Sequence, residues 1–320
     1  MITVRYGDDC REGLDTVRDL TANGCVLALG FFDGVHMAHR GLLERARREA
    51  DRLSLPLAVF TFSGKSGIKK SSPRIYPDSD RLELLADCGV DISFVADFDR
   101  LKEVSPERFV EDWLIGIFST RVAACGYNFR FGKDAGGDAE YLRRALEKRG
   151  VQCIVLEKMT VSGERVSTTR IRELLSVADV RSAARLLGTP YFISGKVERG
   201  DGRGHTLGIP TVNTPIEEGA LPVPHGVYAS LTVIDGAAYR SLTNIGKCPT
   251  FTARAAHAET TILGFSGDLY GKALRVYLVE YLREERVFES PEALIKQIKL
   301  DTDRAQELDL EEIWQEIGQS

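Results

Sequence analysis

Short apolar runs alternate with helical patterns through the first half of the chain. The apolar runs are CVLAL (25–29), LAVFTF (57–62), ISFVA (92–96), VAAC (122–125) and CIVL (153–156). Near-continuous apolar strands that are separated by helices are typical of a parallel sheet covered on both faces. The pattern therefore predicts an α/β domain in this half.

Two helices are predicted from the same Ser-Pro-Glu start signal. In SPERFVEDWLIGIF (105–118), Ser105 can cap a helix and Pro106 suits its first turn. The apolar face of this helix would comprise Phe109, Val110, Trp113, Leu114 and Ile117. The signal recurs at Ser290 in ESPEALIKQI (289–298), which predicts a helix near the end of the chain.

The texture changes after about Leu187, where turns rather than helices separate the strand-like segments. Asp235-Gly236 is a hairpin signal between two such segments. The second half is therefore predicted to be an antiparallel β-barrel or sandwich, with the terminal helix packed on it. We place the domains at residues 1–185 and 186–320.

Composition fits two ordinary globular domains. The chain has 320 residues, of which 43% are hydrophobic and 28% charged, and each half is long enough to form its own core. The net charge of −5 gives no electrostatic reason to expect nucleic acid or an anionic membrane as a partner. No apolar run approaches about 20 residues and no secretory signal is recognisable, so a cytoplasmic protein is expected.

The six cysteines are scattered and form no C-x-x-C pair. Cys25, Cys125 and Cys153 lie inside apolar strand-like runs. We therefore expect these three to be buried, reduced thiols.

A first candidate site is GFFDGVHMAHRG (30–41). This stretch follows the apolar run CVLAL and precedes a segment of helical pattern. Gly30 and Gly34 would allow a phosphate to approach the backbone at a helix N-terminus. His36 and His39 could donate hydrogen bonds to phosphoryl oxygens. The alternatives are a zinc site, for which a third ligand is missing nearby, and a capped turn with surface histidines.

A second motif strengthens the phosphate hypothesis. RVSTTRIRELL (165–175) places the hydroxyl residues Ser167, Thr168 and Thr169 at a helix start, followed by Arg170 and Arg172. Hydroxyls and free N–H groups at a helix N-terminus, with an arginine in the first turn, are suited to binding an anion. The alternative is a plain N-cap with solvated arginines.

These two stretches resemble the H-x-G-H and I-S-S-T-x-I-R signatures of nucleotidylyltransferases. Together with GYNFRFGKDAGGD (126–138), they resemble the adenylyltransferase half of bacterial bifunctional riboflavin kinase/FAD synthetases. The resemblance implies a Rossmann-like domain that joins FMN to ATP and releases pyrophosphate. It also implies an ATP-binding set of Gly30, Phe32, Asp33, Gly34, His36, His39, Asn128, Ser167, Thr168 and Arg172, with His36 and His39 catalytic. From the residues alone, Asn128 could equally be a turn residue.

The chain departs from that family pattern at two points. Ala38 stands where the motif has glycine, and its methyl group can crowd a nucleotide. FTFSGKSGIKKSSP (60–73) lacks the usual Pro-His-Pro segment, which is expected to help cover the flavin.

The other candidate site lies in GKVERGDGRGHTLGIPTVNT (195–214). Its glycine-rich turn could wrap phosphates with backbone N–H groups, although a bare glycine-rich hairpin is often purely structural. Thr211 and Asn213 would present side-chain oxygens on one face of a strand, where they could ligate Mg²⁺.

This run resembles the riboflavin kinase signature G-x-G-R-x-L-G-x-P-T-x-N. The resemblance continues through PHGVYAS (224–230), TNIGKCPTF (243–251), ETTILGFSGDLYGK (259–272) and YLREERVFESPEAL (281–294). It implies a kinase barrel in which Thr211 and Asn213 bind magnesium with ATP, and Glu259 is the general base for the ribityl 5′-hydroxyl. The implied ATP- and flavin-binding set is Gly195, Gly202, Gly204, Gly208, Pro210, Thr211, Asn213 and Asn244. His205, Cys248 and Thr261 differ from the usual residues of the family.

The leading hypothesis is a two-domain enzyme that phosphorylates riboflavin to FMN and adenylylates FMN to FAD. Its ligands would be riboflavin, FMN, FAD, ATP and Mg²⁺, with neither nucleic acid nor membrane as a partner. One alternative is a riboflavin kinase with a weak or inactive adenylyltransferase domain, and another is a non-catalytic flavin-binding regulator. The sequence leaves open whether the chain forms a homo-oligomer.

Overall fold

A computed structural model describes residues 1–7, 10–63, 73–199, 211–217, 219–247 and 256–309. The chain packs as two compact units, Met1–Ser167 and Thr168–Ser320. This division reflects packing alone, so the functional boundary between residues 185 and 186 stays a prediction.

The first unit is built on a six-stranded parallel sheet. Its strands are β1 (Ile2–Tyr6), β2 (Cys25–Leu29), β3 (Leu57–Phe62), β4 (Ile92–Ala96), β5 (Thr120–Gly126) and β8 (Gln152–Leu156), in the spatial order β1-β4-β3-β2-β5-β8. Every neighbouring pair is parallel. The predicted α/β architecture is confirmed, and β1 is an additional edge strand that the apolar runs did not indicate.

Helices and two small hairpins complete this unit. The helices are α1 (Cys10–Leu20), α2 (Met37–Leu53), α3 (Asp78–Asp87), α4 (Phe98–Leu101), α5 (Pro106–Arg108) and α6 (Ala139–Glu147), with a 3₁₀ turn at Lys133–Ala135. The hairpins are β6 (Arg130–Phe131) with β7 (Gly137–Asp138), and β9 (Thr160–Val161) with β10 (Glu164–Arg165).

The helix predicted after Ser105 forms, with a different pitch. The Ser105 hydroxyl accepts a hydrogen bond from the Arg108 N–H at 3.2 Å, which confirms the cap. Beyond α5 the segment Phe109–Ile115 is a π-helix. The Gly116 N–H, for example, donates to the Glu111 carbonyl, five residues earlier. All five residues of the predicted apolar face are buried.

The cysteine prediction is confirmed for two of its three residues. Cys25 and Cys125 are fully buried, and both are free thiols. Cys153 is also a free thiol, but it is only partly buried. The reason is that β8 is the edge strand of the sheet, so one side of Cys153 has no neighbouring strand to cover it.

The second unit is a six-stranded antiparallel barrel with helices. It contains α7 (Thr168–Ser176), α8 (Val180–Leu187), β11 (Phe192–Lys196), β12 (Thr211–Pro215), β13 (Gly226–Ile234), β14 (Ala237–Lys247), β15 (Ala256–Ile262), β16 (Ala273–Arg283) and α9 (Pro291–Gln306). The strand order is β11-β16-β13-β14-β15-β12. A bridge between Glu198 and Asn213 nearly closes this sheet, which confirms the predicted barrel.

One face of the barrel sheet carries a continuous chain of hydroxyl groups. Thr232, Ser241, Ser230, Thr243 and Thr260 are fully buried, and successive hydroxyls lie 2.8–3.0 Å apart. Each hydroxyl can donate one hydrogen bond and accept others, so these five buried hydroxyls can serve as hydrogen-bond partners for one another without water. Because successive residues of a strand face opposite sides, the residues flanking Thr260 and Thr243 lie on the other face.

The predicted hairpin and terminal helix are both confirmed. Asp235-Gly236 forms the turn between β13 and β14, and both residues have positive φ. The Ser290 hydroxyl accepts from the Ala293 N–H at 3.2 Å and caps α9. Nε and Nη2 of Arg283 donate to the Asp301 carboxylate on α9 at 2.8–3.3 Å and anchor the helix to the end of β16.

Candidate active sites

The parallel sheet has a topological switch point between β2 and β5. The chain leaves β2 to build β3 on one side of it, whereas β5 lies on the other side. Ligands of open α/β sheets bind in the crevice outside the carboxyl ends of the strands at such a point. The turn from Gly30 to His36 follows β2, and Tyr127 and Asn128 form a turn after β5. The histidine motif therefore lies where a nucleotide is expected.

The turn between β2 and α2 is strained. Phe32 and Val35 are buried non-glycine residues with φ of 54° and 40°, and Gly34 has φ of 81°. Such conformations cost about 1–3 kcal/mol each and persist only where the surroundings enforce them. The Asp33 carboxylate is buried and accepts a hydrogen bond from the Ile75 N–H at 3.0 Å. A Cβ at Gly34 would lie 2.8 Å from the terminal Cδ1 of Ile75, and the φ of 81° would strain any other residue, so this position favours glycine.

His36 and His39 form one unit at the start of α2. His36 is the N-cap residue, and its Nδ1 accepts a hydrogen bond from the His39 backbone N–H at 3.4 Å. Because Nδ1 accepts, the proton of a neutral His36 ring resides on Nε2. The two imidazoles stack with ring centroids 3.7 Å apart and an interplanar angle of 9°. The Nδ1 of His39 is buried and has no hydrogen-bond partner within the described part of the chain.

Both imidazoles are neutral at pH 7. Burial lowers the pKa of His36 to about 4, against a partial opposing effect of a backbone hydrogen bond. Burial, and then the charges of His36 and Arg81, hold the pKa of His39 well below its usual range. The pair can therefore offer N–H donors to an anionic group without carrying charge of its own.

The remaining predicted residues of this site fall into both units. Asn128 lies in the turn after β5, where its Oδ1 would be 3.2 Å from a Cβ at Gly126. Ser167 is the last residue of the first unit, whereas Thr168 and Arg172 lie on α7 in the second. Contact of these three residues with a nucleotide bound by His36 stays a prediction.

The second unit brings the predicted kinase residues together in one row. Asn213 on β12 pairs with Glu259 on β15, and Glu259 pairs with Asn244 on β14. The three side chains therefore share the face of the sheet opposite the hydroxyl chain. The Thr211 hydroxyl donates a hydrogen bond to Glu259 Oε1 at 2.8 Å. Within the described part of this unit, Oε2 of Glu259 has no hydrogen-bond partner, so it can accept one from a ligand.

Two residues extend this row that the sequence prediction did not include. The Asn244 amide Nδ2 donates to Glu285 Oε1 at 3.0 Å, and the His225 Nδ1 lies 3.8 Å from Glu285 Oε2. A carboxylate only accepts, so Glu285 fixes the Asn244 amide with its Oδ1 pointing elsewhere. That Oδ1 is buried and unpartnered among the described residues, which leaves an acceptor for a ligand. The segment YLREE was part of the family resemblance, but its pattern did not reveal this contact.

Part of the glycine-rich motif lies outside the described residues. The predicted residues Gly202, Gly204, Gly208 and Pro210 lie there. His205 and Cys248, which differ from the usual residues of the family, also lie outside the described residues. Gly195 is described, and it has a packing role. A Cβ there would lie 2.8 Å from the Thr214 methyl carbon and 3.1 Å from the Pro215 carbonyl, so glycine lets β11 approach β12.

Two other features are absent from the described ranges. Within them, no cluster of three or more His, Cys, Asp or Glu side chains is arranged to hold a metal ion. No helix in the same ranges has the length and apolar character needed to cross a membrane.

The folds of the two units and the polar clusters in them together define a class of protein. One is a nucleotide-binding α/β domain with neutral donors at its switch point, and the other is an antiparallel barrel with a carboxylate set among amide and hydroxyl groups. Family models agree with this division. The FAD synthetase model matches residues 19–170, and the riboflavin kinase model matches residues 187–308.

Relatives match over most of the chain. A bifunctional riboflavin kinase/FMN adenylyltransferase from Bacillus subtilis (strain 168) is 32% identical over 291 residues, which cover 88% of this chain and 91% of the relative. A protein of the same description from Escherichia coli (strain K12) is 33% identical over 302 residues, covering 92% and 96%. The chain therefore belongs to the bifunctional riboflavin kinase/FMN adenylyltransferase family.

A solved structure supports the fold over the same extent. The crystal structure described as a macrolide-efflux protein from Streptococcus pneumoniae has a TM-score of 0.82 and 27% sequence identity. The likeness covers 97% of this chain and all of that one.

Proposed function

We propose that each unit performs one of the two reactions of the family. The second unit phosphorylates riboflavin to FMN with ATP, and the first unit transfers the adenylyl group of a second ATP to FMN, giving FAD and pyrophosphate. The observation that supports this assignment most directly is that each unit has its own polar cluster with different chemistry. Neutral imidazole donors lie in the first, and Glu259 is hydrogen-bonded to Thr211 in the second.

In adenylyl transfer, the FMN phosphate attacks the α-phosphorus of ATP. A new P–O bond forms while the bond from the α-phosphorus to the bridging oxygen breaks, and pyrophosphate leaves with that electron pair. His36 donates its Nε2–H to the ATP phosphates, because its Nδ1 is occupied by the His39 N–H. Such preorganised donors stabilise the charge that develops on phosphoryl oxygens. Asn128, at the end of β5, borders the same crevice.

In the kinase reaction, Glu259 accepts the proton of the ribityl 5′-hydroxyl as that oxygen attacks the γ-phosphorus of ATP. The bond to the β-phosphate oxygen breaks, and ADP leaves. The hydrogen bond from Thr211 to Oε1 orients the carboxylate, so that Oε2 is the atom that takes the proton. The free Oδ1 of Asn244 is placed in the same row to accept a hydrogen bond from a substrate hydroxyl.

The donor set of the second unit suits a hard cation. Thr211, Asn213 and Glu259 all supply oxygen, which Mg²⁺ prefers over nitrogen or sulfur. We propose that Thr211 and Asn213 hold Mg²⁺ together with the ATP phosphates. When bound, the ion neutralises phosphate charge during transfer.

We also infer a reducing compartment, the cytoplasm, and no nucleic-acid partner. Cys125 and Cys153 are both free thiols, and the interaction with the neighbouring Cys153 side chain raises the pKa of Cys125. Adjacent free thiols are typical of a reducing environment. The net charge of −5 disfavours binding to a polyanion. Cell fractionation and a gel mobility-shift assay test these two inferences, and recovery outside the cytoplasm or a shifted band would contradict them.

Chromatography of flavin products tests the division of labour. Wild type should convert riboflavin, ATP and Mg²⁺ to FMN and then to FAD. Glu259→Gln keeps an acceptor for Thr211 but removes the base, so FMN formation should fall about 10²–10⁴-fold while FMN is still converted to FAD. His36→Asn keeps an N-cap but removes the imidazole donor, so FMN should accumulate and FAD formation should fall about 10²–10³-fold.

A matched control is Glu307→Gln, which changes an exposed glutamate of the second unit. It should leave both rates unchanged. Absence of both products from folded wild type would refute the function, and loss of the same activity in both site variants would refute the assignment to separate units.

A further inference from the structure

A fully buried arginine lies beneath the strained turn that bears the two histidines. Arg81 is on α3 and has no exposed surface. A buried guanidinium needs partners for its N–H groups, because leaving water is costly for a charge. The partners that Arg81 has are not confined to its own helix.

The guanidinium joins three elements of the first unit. Its Nη1 donates to the Phe31 carbonyl at 2.6 Å and to the Thr61 hydroxyl at 2.8 Å. Its Nη2 donates to the Phe62 carbonyl at 2.7 Å and to Asp78 Oδ1 at 3.0 Å. The Thr61 hydroxyl in turn donates to the Phe31 carbonyl at 3.0 Å. Arg81 thus connects the turn after β2, the end of β3 and the start of α3.

Arg81 binds the Phe31 carbonyl, which lies directly before the strained segment of backbone. Phe31 directly precedes Phe32, which has φ of 54°, and Val35 with φ of 40° directly precedes His36. Backbone in this region relaxes unless its neighbours prevent it. The carbonyl of Phe31 is fixed by two donors, Arg81 and Thr61, so the turn begins from a fixed position.

Arg81 also acts on His39 through its charge. Its positive field is one cause, after burial and the charge of His36, of the lowered pKa of His39. An uncharged residue with the same shape would remove both the hydrogen bonds and this field. The geometry and the charge therefore favour the same arrangement of neutral, stacked rings.

We propose that Arg81 is a positioning residue for adenylyl transfer: its hydrogen bonds to the Phe31 and Phe62 carbonyls fix the turn that orients His36 and His39, although it touches no substrate. The inference rests on the proposed adenylyltransferase function of the first unit. A role in folding alone is the competing explanation. It predicts that activity follows stability, whereas a positioning role predicts loss of activity in folded protein.

Arg47 offers a matched control in the same unit. It lies on α2, donates to the Gly89 carbonyl at 3.2 Å and pairs with Asp91 at 2.7 Å. Like Arg81, it connects its own helix to another part of the fold, but its partners lie before β4 and not at the histidine turn. Arg47→Met should therefore lower stability without changing the turn.

The experiment measures FAD formation from FMN and ATP in full-length wild type, Arg81→Met, Arg81→Lys and Arg47→Met. All four proteins carry Trp314→Phe, so that Trp113, buried in the core of the first unit, is their single tryptophan, and rates are taken at a temperature at which its fluorescence reports folded protein. Displacement of catalytic groups by about 1 Å costs about 10²-fold in rate, so kcat of Arg81→Met should fall by about that factor. Arg81→Lys keeps the charge, but one ammonium cannot replace both guanidinium nitrogens, so a loss of about 10-fold is expected. Arg47→Met should stay within about threefold of wild type, and riboflavin phosphorylation should be unchanged in all variants.

The inference is overturned if folded Arg81→Met or Arg81→Lys retains the wild-type kcat, or if Arg47→Met loses the same activity at equal stability. Arg81→Lys decides the matter if Arg81→Met does not fold. The ring NMR signals of His36 and His39 in ligand-free protein give a readout independent of catalysis. They should move in Arg81→Lys and stay in Arg47→Met, and unmoved signals in Arg81→Lys would also overturn it. If wild type makes no FAD, the proposed function fails, and these signals still decide the role of Arg81.

Discussion

Acid should destabilise the first unit through His36. In the folded protein, burial lowers the pKa of this residue to about 4, whereas a histidine in an unfolded chain has a pKa of about 6.5. The unfolded state therefore binds a proton more readily than the folded state as pH falls. It follows that the stability contributed by neutral His36 is fully present above pH 6.5 and is lost as the pH falls toward 4.

The magnitude follows from the difference between the two pKa values. One pKa unit corresponds to about 1.4 kcal/mol, so a change from about 6.5 to about 4 corresponds to about 3 kcal/mol. A marginally stable domain has only about 5–15 kcal/mol in total, so this loss is large enough to measure. The pKa of His39 is also lowered, and its protonation adds a loss of the same sign.

Trp113 makes the first unit observable by itself. The chain has two tryptophans, and Trp113 is buried among the aromatic side chains of the first unit. In a Trp314→Phe background, urea unfolding followed by tryptophan fluorescence at pH 7 and pH 4.5 reports the free energy of unfolding of this unit. His36→Asn keeps a side chain that can cap α2 but cannot titrate. Between pH 7 and pH 4.5 most but not all of the full effect is lost, so this variant should lose about 2 kcal/mol less than wild type over this range.

The control is His225→Asn, which changes an exposed histidine of the second unit. It should leave the pH dependence of the Trp113 transition unchanged. If His36→Asn loses as much stability between pH 7 and pH 4.5 as wild type does, the burial argument for a neutral His36 is refuted.

Two further predictions concern the second unit. Gly246→Ala would place a Cβ 2.3 Å from Glu285 Oε1, so Glu285 should move away from Asn244. FMN formation should then fall at least about 10-fold, while FAD formation from FMN is kept. Product chromatography measures both, and an unchanged kinase rate would contradict the prediction. Arg283→Met would remove the guanidinium that pairs with the buried Asp301. Because Arg283 is partly exposed, we expect the free energy of unfolding of the second unit to fall by about 2 kcal/mol, which is less than the cost of breaking a fully buried pair. Calorimetric unfolding measures this, and an unchanged transition of the second unit would contradict it.

Local signals predicted the elements well. The five apolar runs are five of the six parallel strands, and both Ser-Pro-Glu starts are capped by Ser105 and Ser290 as expected. These signals depend on residues within one turn or one strand of each other. Near-continuous apolar runs do not indicate the edge strand β1, because ITVRY (2–6) alternates apolar and polar residues.

Contacts between distant residues could not be predicted in this way. Arg81 is separated from Phe31 by 50 residues, and Asn244 from Glu285 by 41. Nothing near Arg81 in the sequence distinguishes it from a solvated arginine of an amphipathic helix, and only the fold buries it. The Nε2 tautomer of His36 also depends on its position at the cap, since the acceptor role of Nδ1 requires the helix to begin at Met37.

The two polar clusters differ chemically, and each one suits the nucleophile of the reaction that we assign to it. The phosphate of FMN has a second pKa near 6 and is already largely ionised at pH 7, so its attack on ATP needs donors to the phosphoryl oxygens and no base. A His36 with a pKa of about 4 is a poor base at that pH and a sound neutral donor. The 5′-hydroxyl of riboflavin carries a proton that must leave, and Glu259 has a second carboxylate oxygen, which none of the described residues engages, to accept it. Exchanging the two clusters would give each reaction the wrong chemistry, which is why we assign adenylyl transfer to the first unit and phosphorylation to the second.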